Sequence, residues 1–535
     1  MDRTPEPSID ESKYSIQDSR AEGSATDAVD LSVGDEALKL VGKERTAQFS
    51  EEYNARLRRK LDLTIPPLCA AVYFTQYLDK TSLNYARYVR LLLSWADTDA
   101  RGDGSIMGFP ITGQRYNLVS MGFYLGFLVW EFPTVYISQK LRVAKYLGAN
   151  IVLWGIVLML HAAGTSFGAI FALRLILGML ESCVAPSLIL IISMFYKKNE
   201  QATRISWFYV MNGLTQIFGG FVAYGISFDK GRILAPYQII YILLGGMAIV
   251  VGICVLVWMP DSPVHAWFLT PEERIAALER VRDDQVGVEN HTLKRSQMRE
   301  AFTDVRTWLV VLITLVTAIP NGGLSNFSNL IIKSFGYTSK EALILSTPSG
   351  LAQILSTLLC GWYSDKKGER MLPAVFSIIP TIVGAVILVG LNKSGEKGAL
   401  LLGIYLTGTY ASVLAAVYSY NATNTGGHTK KSTVNAMTLF SFSAGNIIGT
   451  EIFLAKDAPD YIPGKIAIMI LLTVSLSAAL VLRTINLRLN VRRREALAVL
   501  QAEHGWTDAD VQRERERHAF ADLTDKNNPY FVYTP

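Results

Sequence analysis

The chain is short of charge. Asp, Glu, Lys and Arg make up 18% of its 535 residues, whereas soluble globular chains carry about a quarter. The deficit is local. The first 60 residues and the last 45 are polar, and charge almost vanishes over long runs between them. Cysteine is scarce too: Cys69, Cys183, Cys254 and Cys360 each fall in an apolar run. That placement excludes a disulfide scaffold and a zinc site, and the thiols read as small core hydrophobes. There is no Walker A pattern, no nucleophile elbow and no metal-ligand spacing. Nothing supports enzyme chemistry or a cofactor, and an intrinsic ATP-driven pump is disfavoured. The net charge of +5 points to no nucleic-acid partner.

What is present is apolar length. A membrane helix needs roughly 20 mostly apolar residues. Twelve stretches qualify, at about 63–85, 117–137, 145–164, 168–194, 204–228, 238–259, 307–333, 342–363, 372–391, 398–420, 432–455 and 465–487. The sequence therefore predicts an all-α integral membrane protein of twelve transmembrane helices in two six-helix bundles, in contact with the lipid bilayer and monomeric. The expected divisions are a disordered tail (1–60), a first bundle (61–260), a linker (261–306), a second bundle (307–490) and a polar tail (491–535). The linker carries "TPEERIAALERVR", which reads as an amphipathic helix.

Lys and Arg in short connections set orientation. Lys140, Arg142 and Lys145, then Lys197, Lys198 and Arg204, then Lys366, Lys367 and Arg370, then Lys430 and Lys431 mark alternate connections. This predicts that both termini are cytoplasmic. The third basic connection, "GWYSDKKGERMLP", has more order than a loop needs. Gly361 permits close helix approach, Gly368 suits a positive φ, and Asp365 can cap a helix end or pair with a basic residue.

Ionisable residues inside spans cost several kcal/mol and are functional candidates. Arg174 and Glu181 stand seven residues apart on the fourth span, on one helix face about 10 Å apart. A guanidinium can hold a carboxylate ligand by two bonds. A buried carboxylate can exchange a proton near neutral pH. Asp79 and Lys80 lie in the first span, Glu131 toward the end of the second, and His161 at the end of the third. His161 suits a proton step but reads better as a hydrogen-bonded histidine. Asn212 and Gln216 share a face of the fifth span. Pro320-Asn321-Gly322-Gly323 is expected to break the seventh, placing Asn321 and Asn326 as cavity candidates. Gly445 and Gly449 read as helix packing.

The six-linker-six layout and the hairpin motif Gly361, Asp365, Gly368, Arg370 resemble the major facilitator superfamily. The corresponding first-half segment, "PTVYISQKLRVAKYLG", lacks the Gly and Asp. "YFTQYLDKTSLNYA", "GFYLGFLVWEFPT", "LRLILGMLESCVAPSL", "GLTQIFGGFVAYGI", "MPDSPVHAWFLTPEER", "GNIIGTEIF" and "AFADLTDKNNPYF" are similar to the fungal allantoate permease family, in the anion:cation symporter branch. Thr450-Glu451 departs from the family's usual Pro-Gln. The resemblance implies proton-driven import of a small organic anion, such as allantoate, ureidosuccinate or a vitamin acid (nicotinate or pantothenate), across a fungal membrane; the plasma membrane is the default reading and the vacuolar membrane the alternative. It also implies substrate roles for Arg174 and Lys80, the latter where relatives often have arginine, and a proton role for Glu181. A nutrient sensor and an exporter are the rival readings.

One stretch interrupts the resemblance. Without "RYVRLLLSWADTDARGDG", residues 87–104, the chain would read "SLNYASIMGFPITGQRYN". Permitted codons for Arg87-Tyr88-Val89 include GTATGT, a fungal splice donor, and Ser105 can begin with the AG of an acceptor. The sequence predicts a retained intron here, with a true outside loop as the alternative.

Overall fold

The structure is a computed structural model; it describes residues 49–96, 114–164, 166–226, 234–282, 293–391, 396–452, 461–518 and 522–535. Every long apolar stretch becomes helix, because a backbone in hydrocarbon must satisfy its own N–H and C=O groups. In chain order the helices are α1 (Glu51–Ala96), α2 (Gln114–Lys140), α3 (Val143–Leu160), α4 (Phe167–Glu181), α5 (Val184–Phe195), α6 (Lys198–Tyr209), α7 (Met211–Ile226), α8 (Pro236–Trp258), α9 (Pro271–Arg282), α10 (Arg295–Thr303), α11 (Val305–Ser334), α12 (Ser339–Leu345), α13 (Thr347–Lys367), α14 (Met371–Gly390), α15 (Lys397–Thr407), α16 (Ala411–Asn424), α17 (His428–Thr450), α18 (Ile462–His504) and α19 (Asp508–His518). Among the described residues, nine helical stretches are long and apolar enough to cross a membrane. The other three expected spans fall on α1, α6–α7 and α17, which carry more charged and polar residues.

The N half (α1–α8) packs α3 on α8, α2 on α4, and α1 on α7 and α8. The C half packs α11 on α17 and α18, and α14 on α15 and α18. At the seam between halves, α13 lies on α6 and α7, α16 lies on α6, and α17 lies on α2. Gly213 of α7 and Gly350 of α13 cross so closely that a Cβ on either would lie 2.4 or 2.6 Å from the other's carbonyl oxygen. The outward surface is apolar: Val250 and Leu359 are 61% and 63% exposed. Continuous apolar surface of this kind belongs against lipid.

Three details differ from expectation. α1 begins at Glu51, inside the stretch expected to be disordered. Lys60 pairs with Glu273 at 2.6 Å, Arg204 with Asp62 at 2.6 Å, and Leu57 and Leu61 are buried, so this turn has tertiary anchors. The expected break at Pro320 is absent: α11 runs through it. Its glycines serve packing instead, since a Cβ on Gly322 would lie 2.5 Å from the Asn446 carbonyl oxygen of α17. An interruption falls in the fourth span, where α4 stops at Glu181 and α5 begins at Val184. Pro186 explains it, because its ring cannot donate to, and clashes with, the carbonyl of Ser182 four residues earlier.

Helix α1 extends to Ala96 and so takes in the first part of the interrupting stretch, residues 87–96; residues 97–113 and 1–48, with the rest of that stretch and most of the N-terminal tail, lie outside the described residues. The linker forms α9 and α10. α9 buries Ala276, Ala277 and Leu278 and places Arg280 2.6 Å from Glu200 of α6, so it is fixed to the N half.

Candidate substrate and proton site

Charge in the N half converges where the fourth span is interrupted. Ser166 caps α4 by accepting from Ala169 N at 3.3 Å, which fixes the start of the helix. Two turns separate Arg174 from Glu181 at its end. Arg174 is 2% exposed, and its Nη2 donates to Ser82 Oγ of α1 at 3.2 Å and to the Tyr241 hydroxyl of α8 at 3.3 Å. Its Nε has no partner among the described residues. A buried cation with an unmatched N–H has a donor free for an anion's oxygen.

Asp79 and Glu181 are both fully buried. They act on each other electrostatically and are both drawn toward Arg174. No donor side chain among the described residues reaches their carboxylate oxygens. His161 is buried behind this cluster. Its Nδ1 is 2.9 Å from Val157 O, and its ring stacks on Tyr241 with centroids 5.2 Å apart.

Lys80 sits beside the cluster, among aromatic rings. Its Nζ lies 5.0 Å from the ring centre of Tyr124, 5.8 Å from that of Tyr77 and 4.5 Å from that of Phe442. Phe442 belongs to α17, so the N-half cation touches the C half. Cation–π contact holds the ammonium without neutralising it.

The other candidates separate. Asn321 donates to Asn446 Oδ1 at 2.7 Å and accepts from the Tyr410 hydroxyl at 2.9 Å, forming a polar cross-link inside the C half. The side chain of Asn326 lies outside the described residues. Gln216 donates to Ser349 Oγ at 2.7 Å, so its amide stitches α7 to α13 across the seam. Asn212 is buried, and its Oδ1 has no hydrogen-bond partner among the described residues. Glu131 is fully buried, with both oxygens unmatched among the described residues.

The basic hairpin closes the other end of the seam. Gly368 takes φ 64° and ends α13. Asp365 accepts from Ala202 N at 3.2 Å and Thr203 N at 2.7 Å on α6. Arg370 pairs with Asp365 at 3.2 Å and donates to the Lys198 carbonyl. A Cβ on Gly361 would lie 2.2 Å from Ser206 Oγ.

Sequence reasoning missed Tyr241, Ser82, Tyr124 and Phe442. A single tyrosine, serine or phenylalanine in an apolar span carries no pattern that separates it from packing.

The Major Facilitator Superfamily model matches residues 69–450. The chain is similar to the allantoate permease of Saccharomyces cerevisiae, 33% identical over 94% of this chain and 90% of that one. It is also similar to a thiamine pathway transporter of the same yeast, 30% identical over 92% and 89%. Its fold resembles the proton:xylose symporter XylE, with a TM-score of 0.58 and 13% identity, over 78% of this chain and 95% of that one. The chain is a membrane transporter of the major facilitator superfamily and belongs to its fungal allantoate permease family.

Proposed function

We propose that this protein imports a small organic anion by proton symport, with the basic loops on the cytoplasmic side of the plasma membrane. The supporting observation is the buried group of Arg174, Asp79 and Glu181 at a helix interruption, beside Lys80 and its contact with the opposite half. Arg174 and Lys80 attract the anion. The Asp79–Glu181 pair takes a proton from one side and gives it up on the other, with Glu131 a further station. The halves rock about the α13/α6–α7 and α17/α2 seams, exposing the site alternately. Allantoate, ureidosuccinate and vitamin acids such as nicotinate and pantothenate are the candidate substrates, and one chain is the working unit.

The test is uptake of a panel of labelled acids in yeast lacking its own permeases, at pH 5 and pH 7.5. Accumulation of one acid, abolished by a protonophore, supports the reading. A correctly localised protein that accumulates none of them contradicts import of this class and shifts weight to a sensor or an exporter.

A further inference from the structure

The polar C-terminal segment 522–535 is packed into the basic end of the molecule. Asp525 is fully buried, with its carboxylate 2.5 Å from Arg306 Nη2 and 2.6 Å from Lys430 Nζ. Asp522 accepts from His428 N at 2.7 Å and pairs with Lys294 at 2.8 Å. The Tyr533 ring lies between two guanidinium groups, 4.2 Å from Arg306 and 4.6 Å from Arg493. Its backbone exchanges two hydrogen bonds with the Asn490 side chain, at 2.7 and 2.9 Å. Thr534 does the same with Asn424, at 2.6 and 2.9 Å. All these partners belong to the C half or to the linker end joined to it.

Contact with the N half is different in kind. Among the described residues, its hydrogen-bond and cation–ring contacts with the N half run through Lys198, at the start of α6. The Lys198 ammonium lies 3.7 Å from the Phe531 ring centre and 3.4 Å from the Val532 carbonyl oxygen. Arg370 holds the Lys198 backbone carbonyl, and Arg370 N donates to Pro535 O at 2.5 Å. Segment, hairpin and α6 therefore meet at one place. Rocking the halves apart at this end preserves the first set of contacts and must break the second.

We propose that residues 522–535 form a gate strap: anchored on the C half, it closes the basic end by seating Phe531 and Val532 on Lys198 of the N half, and it is withdrawn from Lys198 each time that end opens. The proposal rests on the transport reading for its purpose, but its test needs no substrate. Ser432 of α17 lines a small cleft between the halves, with Ser138 of α2 and Pro186 of α5. In full-length protein with its native cysteines replaced, Ser432→Cys reports opening of this end through its alkylation rate in membrane vesicles. Phe531→Ala and Lys198→Ala should each raise that rate about three- to tenfold, the range a close cation–π contact sustains in a two-state equilibrium. The double substitution should add little to either. Phe531→Leu, which keeps apolar bulk but removes the ring, should give an intermediate rate and guards against misfolding of the alanine variant. Unchanged or lower rates in Lys198→Ala and Phe531→Leu overturn the strap. Raised rates in a protein that takes up no acid would leave the strap standing and overturn the substrate assignment alone.

Discussion

The Asp365 carboxylate of the C half accepts from the Thr203 backbone N–H of the N half at 2.7 Å. Side chain meets main chain, so the contact does not depend on what residue 203 carries. Ala202 N supplies a second bond at 3.2 Å. Bonds to a charged group contribute about 1.5–3 kcal/mol each. Asp365→Ala should therefore weaken closure of the basic end strongly, lowering uptake while leaving the protein in the membrane. Cysteine accessibility at Ser432→Cys, measured beside surface expression, checks this.

At the opposite end of the same seam, Gly350 has no room for a side chain, because the Gly213 carbonyl lies where its Cβ would go. Backbone cannot yield as a flexible side chain can. Gly350→Val should hold the halves apart there and reduce uptake to background, with normal expression.

Arg174 is held by two hydroxyl groups on two other helices. Arg174→Lys keeps the charge but loses the planar fork, so it should not restore uptake lost in Arg174→Ala. Tyr241→Phe removes one hydrogen bond from the cation, worth about 1.5–3 kcal/mol. It should weaken apparent substrate affinity by about tenfold or more while leaving some transport. Concentration dependence of uptake separates the two effects.

In the proposed mechanism the Asp79–Glu181 pair carries the coupling. Glu181→Gln should abolish accumulation driven by a pH gradient while leaving exchange of external for internal substrate, which needs no net proton movement. Loss of both activities together would instead mark Glu181 as a structural member of the site.

Docking of the C-terminal segment should be insensitive to pH in the working range. Burial alone would raise the Asp525 carboxyl, but Arg306 and Lys430 outweigh it and hold the group below the usual carboxylate range. A depressed native value means the stabilisation is present above the unfolded value, about 3.9, and fades only as pH falls through the native one. Alkylation of the Ser432→Cys reporter in the unliganded protein should thus show no Asp525-dependent change between about pH 5 and 8, a difference in the effect of Asp525→Asn across that window being the contrary result.

Residues 87–104 can be tested apart from the transport cycle. We propose that they are a retained intron, so transcripts should contain a junction joining the Arg87 codon to Ser105, and protein lacking the stretch should transport. Transcripts uniformly without the junction contradict this.

Much of the plan is legible because hydrocarbon is an unforgiving solvent. Long apolar runs must become helices, and charges within them must gather, as Asp79, Arg174 and Glu181 do. Pro186 also gives a local reason for the interruption after Glu181. By contrast, Pro320 looks like a breaker in isolation, and only the approach of Asn446 shows Gly322 to be a packing residue. Tyr241 and Phe442 could not be singled out, since their roles arise from neighbours far along the chain. Nor could the docked segment: Asp525 and Tyr533 are polar in sequence, and they are buried only because Arg306, Lys430 and Arg493 converge on them.

The central claim is tested most directly with purified protein in sealed liposomes under an imposed pH gradient, acidic outside, offering labelled allantoate, ureidosuccinate, nicotinate and pantothenate. The expected result is accumulation of one acid above its outside concentration, collapsed by a protonophore and absent in Arg174→Ala. Equal accumulation with and without the gradient, or full activity in Arg174→Ala, would contradict it.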